Sequence, residues 1–162
     1  MGYRDKILKQ LYEVLENNTS DARIYYRLAD RCNRSSLKYF FKKLSLQKRL
    51  FCRRLNYEIR ELEKEMEFIG ENNIFQYESS TKKSFEGIPT SRGDISGLVA
   101  YCYNQEQQYL EQYKTLLSKT YLGGIREMLL SQKHSIQLIL NEIRSLETKM
   151  HNLKNEGEIN YS

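Results

Sequence analysis

A chain of 162 residues with 40% apolar and 29% charged side chains is the size of one soluble globular domain. It buries about 70% of the surface its unfolded form exposes, so neither a disulfide framework nor a structural metal is needed to hold it. A formal charge of +5 permits anionic partners but bears first on solubility, and nowhere do about 18 apolar residues run together, as a membrane-crossing helix requires.

One proline and eight glycines leave few interruptions for long helices. Cys32, Cys52 and Cys102 are odd in number and widely spaced, without a CxxC pair. That fits free thiols in a reducing compartment better than disulfides or zinc. The opening MGYRDKILKQ has charges where a signal peptide needs an apolar core, so a cytoplasmic location is expected. On that expectation the sequons at Asn17 and Asn33 are chance matches.

Apolar residues at three- and four-residue spacing predict four helices. The first covers about 3–32 and turns Ile7, Leu11, Val14, Leu15, Ala22, Tyr25 and Ala29 inward. The second covers about 36–69, from Leu37, Phe40, Phe41 and Leu44 through Phe51, Leu55, Ile59 and Leu62 to Met66 and Ile69. Hydroxyls in "NRSS" are expected to cap it. A polar linker follows over 70–93, with Ile74, Phe75 and Phe85 expected to pin it to the bundle.

The third helix is predicted over 94–120, capped by Asp94 and stopped by Gly123-Gly124. It carries Ile95, Leu98, Val99, Cys102, Tyr109, Tyr113, Leu116 and Leu117. The fourth is predicted over 124–153 with Ile125, Met128, Leu129, Ile136, Ile139, Ile143, Leu146 and Met150. The short outer connections make helices one and two antiparallel neighbours, and likewise three and four. At about 3.3 Å per residue the linker reaches about 70 to 80 Å, twice the length of a 25-residue helix. This permits helices two and three to be parallel, so the expected fold is an all-α four-helix bundle, up-down-down-up with one long crossover, in a single domain spanning 1–162.

Each helix also carries a polar side chain at mid-length on its apolar arc: Asn18 and Asp21, Gln47 and Lys48, Gln105 and Glu106, and Gln132. Buried polar groups must find partners, so one layer of them implies a shared hydrogen-bond network or a metal cluster. A dinuclear bundle site takes a Glu from each of two helices and a Glu-x-x-His pair from each of the others. Here Ser131 and Thr148 stand three residues before the two histidines. On a helical wheel Gln132 falls among the apolar residues, whereas His134 lies about 160° away, facing solvent. A network is therefore expected, with Tyr25, Tyr109 and Tyr113 donating to Asp21 or Glu106. No metal or other cofactor is expected.

The segments "LYEVLENNTSDARIYYRLAD", "LKYFFKKLSLQKRLFCRRL", "LVAYCYNQEQQYLEQYKTLL" and "LLSQKHSIQLILNEIRSLE" resemble an uncharacterised bacterial family of ferritin-like four-helix-bundle proteins, over about residues 5 to 150. The resemblance implies a ferritin-like ancestry and a degenerate ligand layer at Asp21, Gln47, Glu106 and Gln132. It supplies no reaction.

Between Asp30 and Glu58 no acidic residue occurs, while Arg31, Arg34, Lys38, Lys42, Lys43, Lys48, Arg49, Arg53 and Arg54 do. Lys38, Lys42, Arg49 and Arg53 fall within about 60° of one another and form a basic stripe suited to anions. With Tyr39 as its clear outward aromatic, nucleic acid is disfavoured as partner. The acidic "EIRELEKEME" that follows suits antiparallel pairing of two such helices in a homodimer. Motifs for nucleotide, phosphate-loop or serine chemistry do not occur, which makes a conventional enzyme unexpected. The leading expectation is a non-catalytic interaction or stress-associated protein. The alternatives are a metal-binding or oxidoreductase relative of ferritin using Asp21 and Glu106, and phosphate-backbone binding along helix two.

Overall fold

The computed structural model describes residues 2–70 and 95–160, with side chains as far as residue 152. Four helices make up the described chain: α1 (Tyr3–Arg31), α2 (Ser35–Phe68), α3 (Ile95–Lys119) and α4 (Gly123–Asn160). No described helix is long and apolar enough to cross a membrane. The expected linker contacts of Ile74, Phe75 and Phe85, and the cap at Asp94, lie outside the described residues.

Several ends differ from the sequence reading. Arg34, not a serine, occupies the N-cap of α2 and makes no side-chain cap bond, because Ser35 and Ser36 are already helical. Gly123 opens α4 instead of stopping α3. The end of α3 is closed by Arg126, whose Nη1 donates to the carbonyls of Leu117 and Thr120 at 2.7 Å each. This sets a cation on carbonyls that the helix leaves unbonded. Gly70, at φ +76°, accompanies the end of α2 and donates to the Glu67 carbonyl; a left-handed residue there favours glycine. Helix α4 runs on to Asn160, beyond its expected end near 153, since no proline breaks it.

Contacts along each pair give the helix directions. Tyr12 donates to Glu63 and Ser45 to the Ala22 carbonyl, so α1 and α2 run antiparallel. Tyr3 meets Thr120 while Tyr25 meets Glu106, which makes α1 and α3 antiparallel. Gly124 lies against Glu58, Gln132 against Phe51 and Lys43 against Glu142, so α2 and α4 are also antiparallel. It follows that α2 and α3 are parallel. They face each other across the diagonal, because the backbones in direct contact are α1/α2, α3/α4, α2/α4 and α1/α3.

The apolar core divides into two clusters. One gathers Leu8, Leu11, Leu55, Leu62, Met66, Leu116 and Leu129 toward the α3–α4 connection. The other gathers Leu28, Phe41, Leu44, Val99, Cys102 and Ile143 toward the α1–α2 connection. Burial of such side chains, worth about 1.5–3 kcal/mol each, is the dominant stabilising term. Leu8, Ile24 and Leu28 belong to this core although the sequence reading did not list them; a helix packed against two neighbours buries a wider arc than one stripe. Ile69, expected inside, is exposed just beyond the last turn of α2.

Candidate functional site

Where the two apolar clusters meet, the four helices contribute a polar layer. Asn18 and Asp21 come from α1, Ser45 and Lys48 from α2, Glu106 from α3 and Gln132 from α4, and all are buried. On α2 the heptad-like series Phe41, Leu44, Lys48, Phe51, Leu55 turns each member toward the core. Position 48 therefore inherits an interior place that its charge would not choose.

Lys48 Nζ lies 2.8 Å from Glu106 Oε2, and neither side chain has any exposed surface. The other oxygen, Oε1, accepts the Tyr25 hydroxyl at 3.0 Å. The ammonium also sits 4.1 Å from the centroid of the Tyr109 ring and 5.4 Å from that of Phe51. Aromatic faces attract a desolvated cation. Tyr109 in turn donates its hydroxyl to Asp21 Oδ2 at 2.5 Å. The chain Asp21, Tyr109, Lys48, Glu106, Tyr25 thus crosses from α1 through α3 and α2 and back to α1.

A second, uncharged branch joins Asn18 and Gln132 through Tyr113, while Ser45 donates to the Ala22 carbonyl. Asn18 Nδ2 donates to the Val14 carbonyl and to the Tyr113 hydroxyl. Tyr113 donates to Gln132 Oε1, and Gln132 Nε2 donates to the Phe51 carbonyl. The expected network is thus present, with one difference: Tyr113 donates to an amide, not to an acid. Burial pushes the Tyr25, Tyr109 and Tyr113 hydroxyls well above the ordinary tyrosine range, and the nearby carboxylates add to the shift. Burial also raises the Cys102 thiol, with Glu106 and Asp21 acting in the same direction, and so keeps it protonated.

Of the seven residues expected in the polar layer, Asn18, Asp21, Lys48, Glu106 and Gln132 are brought together there, and with them three of the four positions of the ligand layer that the resemblance implies. Gln47 is not: it is half-buried, its Oε1 has no hydrogen-bond partner, and its neighbour Lys48 takes the interior place. Gln105 is likewise half-buried. His134 is exposed, as its wheel position predicts.

The donor set bears directly on a ferritin-type dinuclear metal. Both oxygens of Glu106 are engaged, one by an ammonium, and any dication would have to displace that ammonium from its carboxylate. Among the described residues no group of three or more His, Cys, Asp or Glu side chains is arranged to hold a metal ion. The residues present do not fit a dinuclear centre, which needs several anionic ligands to compensate two cations. Cavities lined by Arg34, Ile95 and His151 at one end of the bundle, and by Glu58, Phe68 and Gly124 at the other, include no residue of the layer.

On the outer side of α2, Lys42, Arg49 and Arg53 are exposed and Lys38 is half-buried. Lys48, one of the nine basic residues of the run, is withdrawn from the surface altogether. Tyr39 is not alone as an outward aromatic: Tyr26 and Tyr57 are exposed as well, and Arg49 lies 5.5 Å over the Tyr26 ring. Tyr57 shares the wheel direction of Tyr39 on α2, whereas Tyr26 reaches this face from α1. No protein-family model, curated protein or solved structure matches this chain.

Proposed function

We propose that the protein is a non-catalytic, ferritin-like bundle that acts through its surface as an interaction protein, its interior layer serving only to hold the fold. The observation that carries this reading is the Lys48–Glu106 pair, which sets a built-in cation against the carboxylate that a metal would require. The ferritin-like assignment is supported by the parallel run of α2 and α3 across the bundle diagonal, the arrangement that a long crossover between them permits. A buried lysine so paired has no free amine for covalent chemistry, and Tyr25 and Tyr109 spend their protons on the carboxylates.

Incubation with Fe(II) or Mn(II), followed by desalting and elemental analysis, tests the reading. The expected result is less than stoichiometric metal and an unchanged melting temperature. Two tightly held equivalents per chain would overturn it and restore the metal-binding or oxidoreductase alternative.

A second reading, recognition of an anion along α2, is favoured by one specific observation. Lys42 and Arg53 are exposed and form no ion pair among the described residues.

A further inference from the structure

The exposed apolar residues of α2 lie along one line. Tyr39, Leu46, Leu50, Tyr57 and Phe68 are 71%, 57%, 51%, 54% and 91% exposed. At 100° per residue they fall within about 20° of a single direction, opposite the buried arc of Phe41, Leu44, Lys48 and Leu55. At 1.5 Å per residue the stretch of this ridge from Tyr39 to Tyr57 is about 27 Å long; beyond Tyr57 the exposed Glu61 and Lys64 interrupt the line before Phe68. Lys42, Arg49 and Arg53 flank it on the α1 side, while Lys43 and Arg54 flank it on the α4 side.

The cations are not equally committed. Lys43 is held by Glu142 at 2.9 Å and Arg54 by Glu58 at 2.8 Å, and Arg49 leans on Tyr26. Among the described residues Lys42 and Arg53 form no ion pair and remain for an outside anion. An apolar line rimmed by such cations places hydrocarbon and positive charge on one nearly straight face. Tyrosine prefers a boundary with one apolar and one wet side, and lysine and arginine extend apolar stems beneath charged heads.

We infer that the outer face of α2 from Tyr39 to Tyr57 docks on an anionic lipid surface, with Leu46 and Leu50 entering the headgroup–acyl boundary and Lys42 and Arg53 meeting lipid phosphates. This rests on the surface-acting reading above and names its partner. Other occupants match the ridge less well. A nucleic acid would stack on Tyr39 and Tyr57, but Leu46 and Leu50 at the centre can neither stack on a base nor bond a phosphate. A second copy paired antiparallel about Leu50, the centre of the apolar stretch, would bring Arg49, Arg53 and Arg54 against the same three cations, a repulsive arrangement. The register about Tyr57 that sets Arg54 level with Glu61 places Leu50 against Lys64 and carries Tyr39 past the end of α2. A lipid plane answers both the hydrocarbon and the charge.

The test is flotation of the full chain with vesicles of phosphatidylcholine alone and of phosphatidylcholine mixed with phosphatidylglycerol, at low and high salt. Binding to the anionic vesicles is expected, weakening with salt and much reduced on neutral ones. Lys42→Gln with Arg53→Gln should weaken it about thirtyfold, from two surface cations lost. Leu46→Ser with Leu50→Ser should weaken it about tenfold at unchanged net charge. All four side chains point away from the core, so circular dichroism and melting temperature should stay as in the parent. Absence of flotation at low salt would overturn the inference, as would binding indifferent to Leu46→Ser with Leu50→Ser. Tighter binding to a single-stranded RNA oligomer than to the vesicles, or a dimer that dissolves in the Leu46→Ser, Leu50→Ser variant, would reassign the face to another occupant. None of these results depends on metal retention, so the non-catalytic reading stands or falls separately.

Discussion

Lys48 and Glu106 are joined at 2.8 Å across the bundle diagonal, from two parallel helices whose backbones do not touch, and water reaches neither side chain. Taking both charges out of water costs several kcal/mol per ion, which only close pairing and further hydrogen bonds offset. The Tyr25 hydroxyl and the Tyr109 ring supply that surplus here. The pair therefore specifies which helix faces meet more than it adds to stability.

Removing one partner should be far worse than removing both. Lys48→Met, which keeps the chain length and strands the Glu106 carboxylate, is expected to destabilise the fold by about 3–5 kcal/mol. Lys48→Met combined with Glu106→Gln should recover most of that loss, because no uncompensated charge remains. Urea unfolding of the parent and the two variants gives the comparison; a double variant as unstable as the single would contradict the ion-pair account.

Tyr109 plays two parts that substitution separates. Tyr109→Phe removes the hydroxyl from Asp21 but keeps the ring beneath Lys48, and should cost about 1–3 kcal/mol through the buried carboxylate's lost donor. Tyr109→Leu removes the aromatic face as well and should cost about 1–2 kcal/mol more. Thermal or chemical unfolding of both variants reads the difference; equal losses would show that the ring does nothing for the cation.

Alkaline pH should unfold the bundle. Tyr25, Tyr109 and Tyr113 have folded-state values raised well above the ordinary tyrosine range. The unfolded chain therefore releases these protons first. Their contribution is complete below pH 10, the ordinary tyrosine value, and falls as pH climbs beyond it toward their folded values. Tyr12, beside Glu63 and pushed up to about 12 chiefly by burial, titrates in the same direction. Of the 13 tyrosines, these three should show tyrosinate absorbance only when helicity is lost. Their ionisation ahead of the loss of circular dichroism would contradict the buried placement.

The bundle itself was legible in the periodicity, because a long helix must bury a stripe and the stripe at Leu55, Ile59, Leu62 and Met66 has one reading only. Charge misled where periodicity was sound. Lys48 stands in register with Leu44 and Phe51 and belongs to the expected polar layer, yet the basic run also counts it as a surface cation, and the ligand set that the resemblance implies takes the half-buried Gln47 in its stead. The outward aromatics extend beyond Tyr39 in two ways: Tyr57 lies on the same line of α2 and is visible on its wheel, whereas Tyr26 meets Arg49 across two helices, and no wheel of a single helix brings those together.

The sequence by itself determined four helices, their buried arcs, the outward turn of His134 and the presence of an interior polar layer, since each follows from local spacing at 100° per residue. Only the tertiary structure decided how that layer is paired. Whether a lysine in the interior is a cost or a component depends on what stands opposite it. Glu106 stands there because the parallel run of α2 and α3 brings position 48 level with position 106, a relation between distant segments that spacing within one helix does not contain.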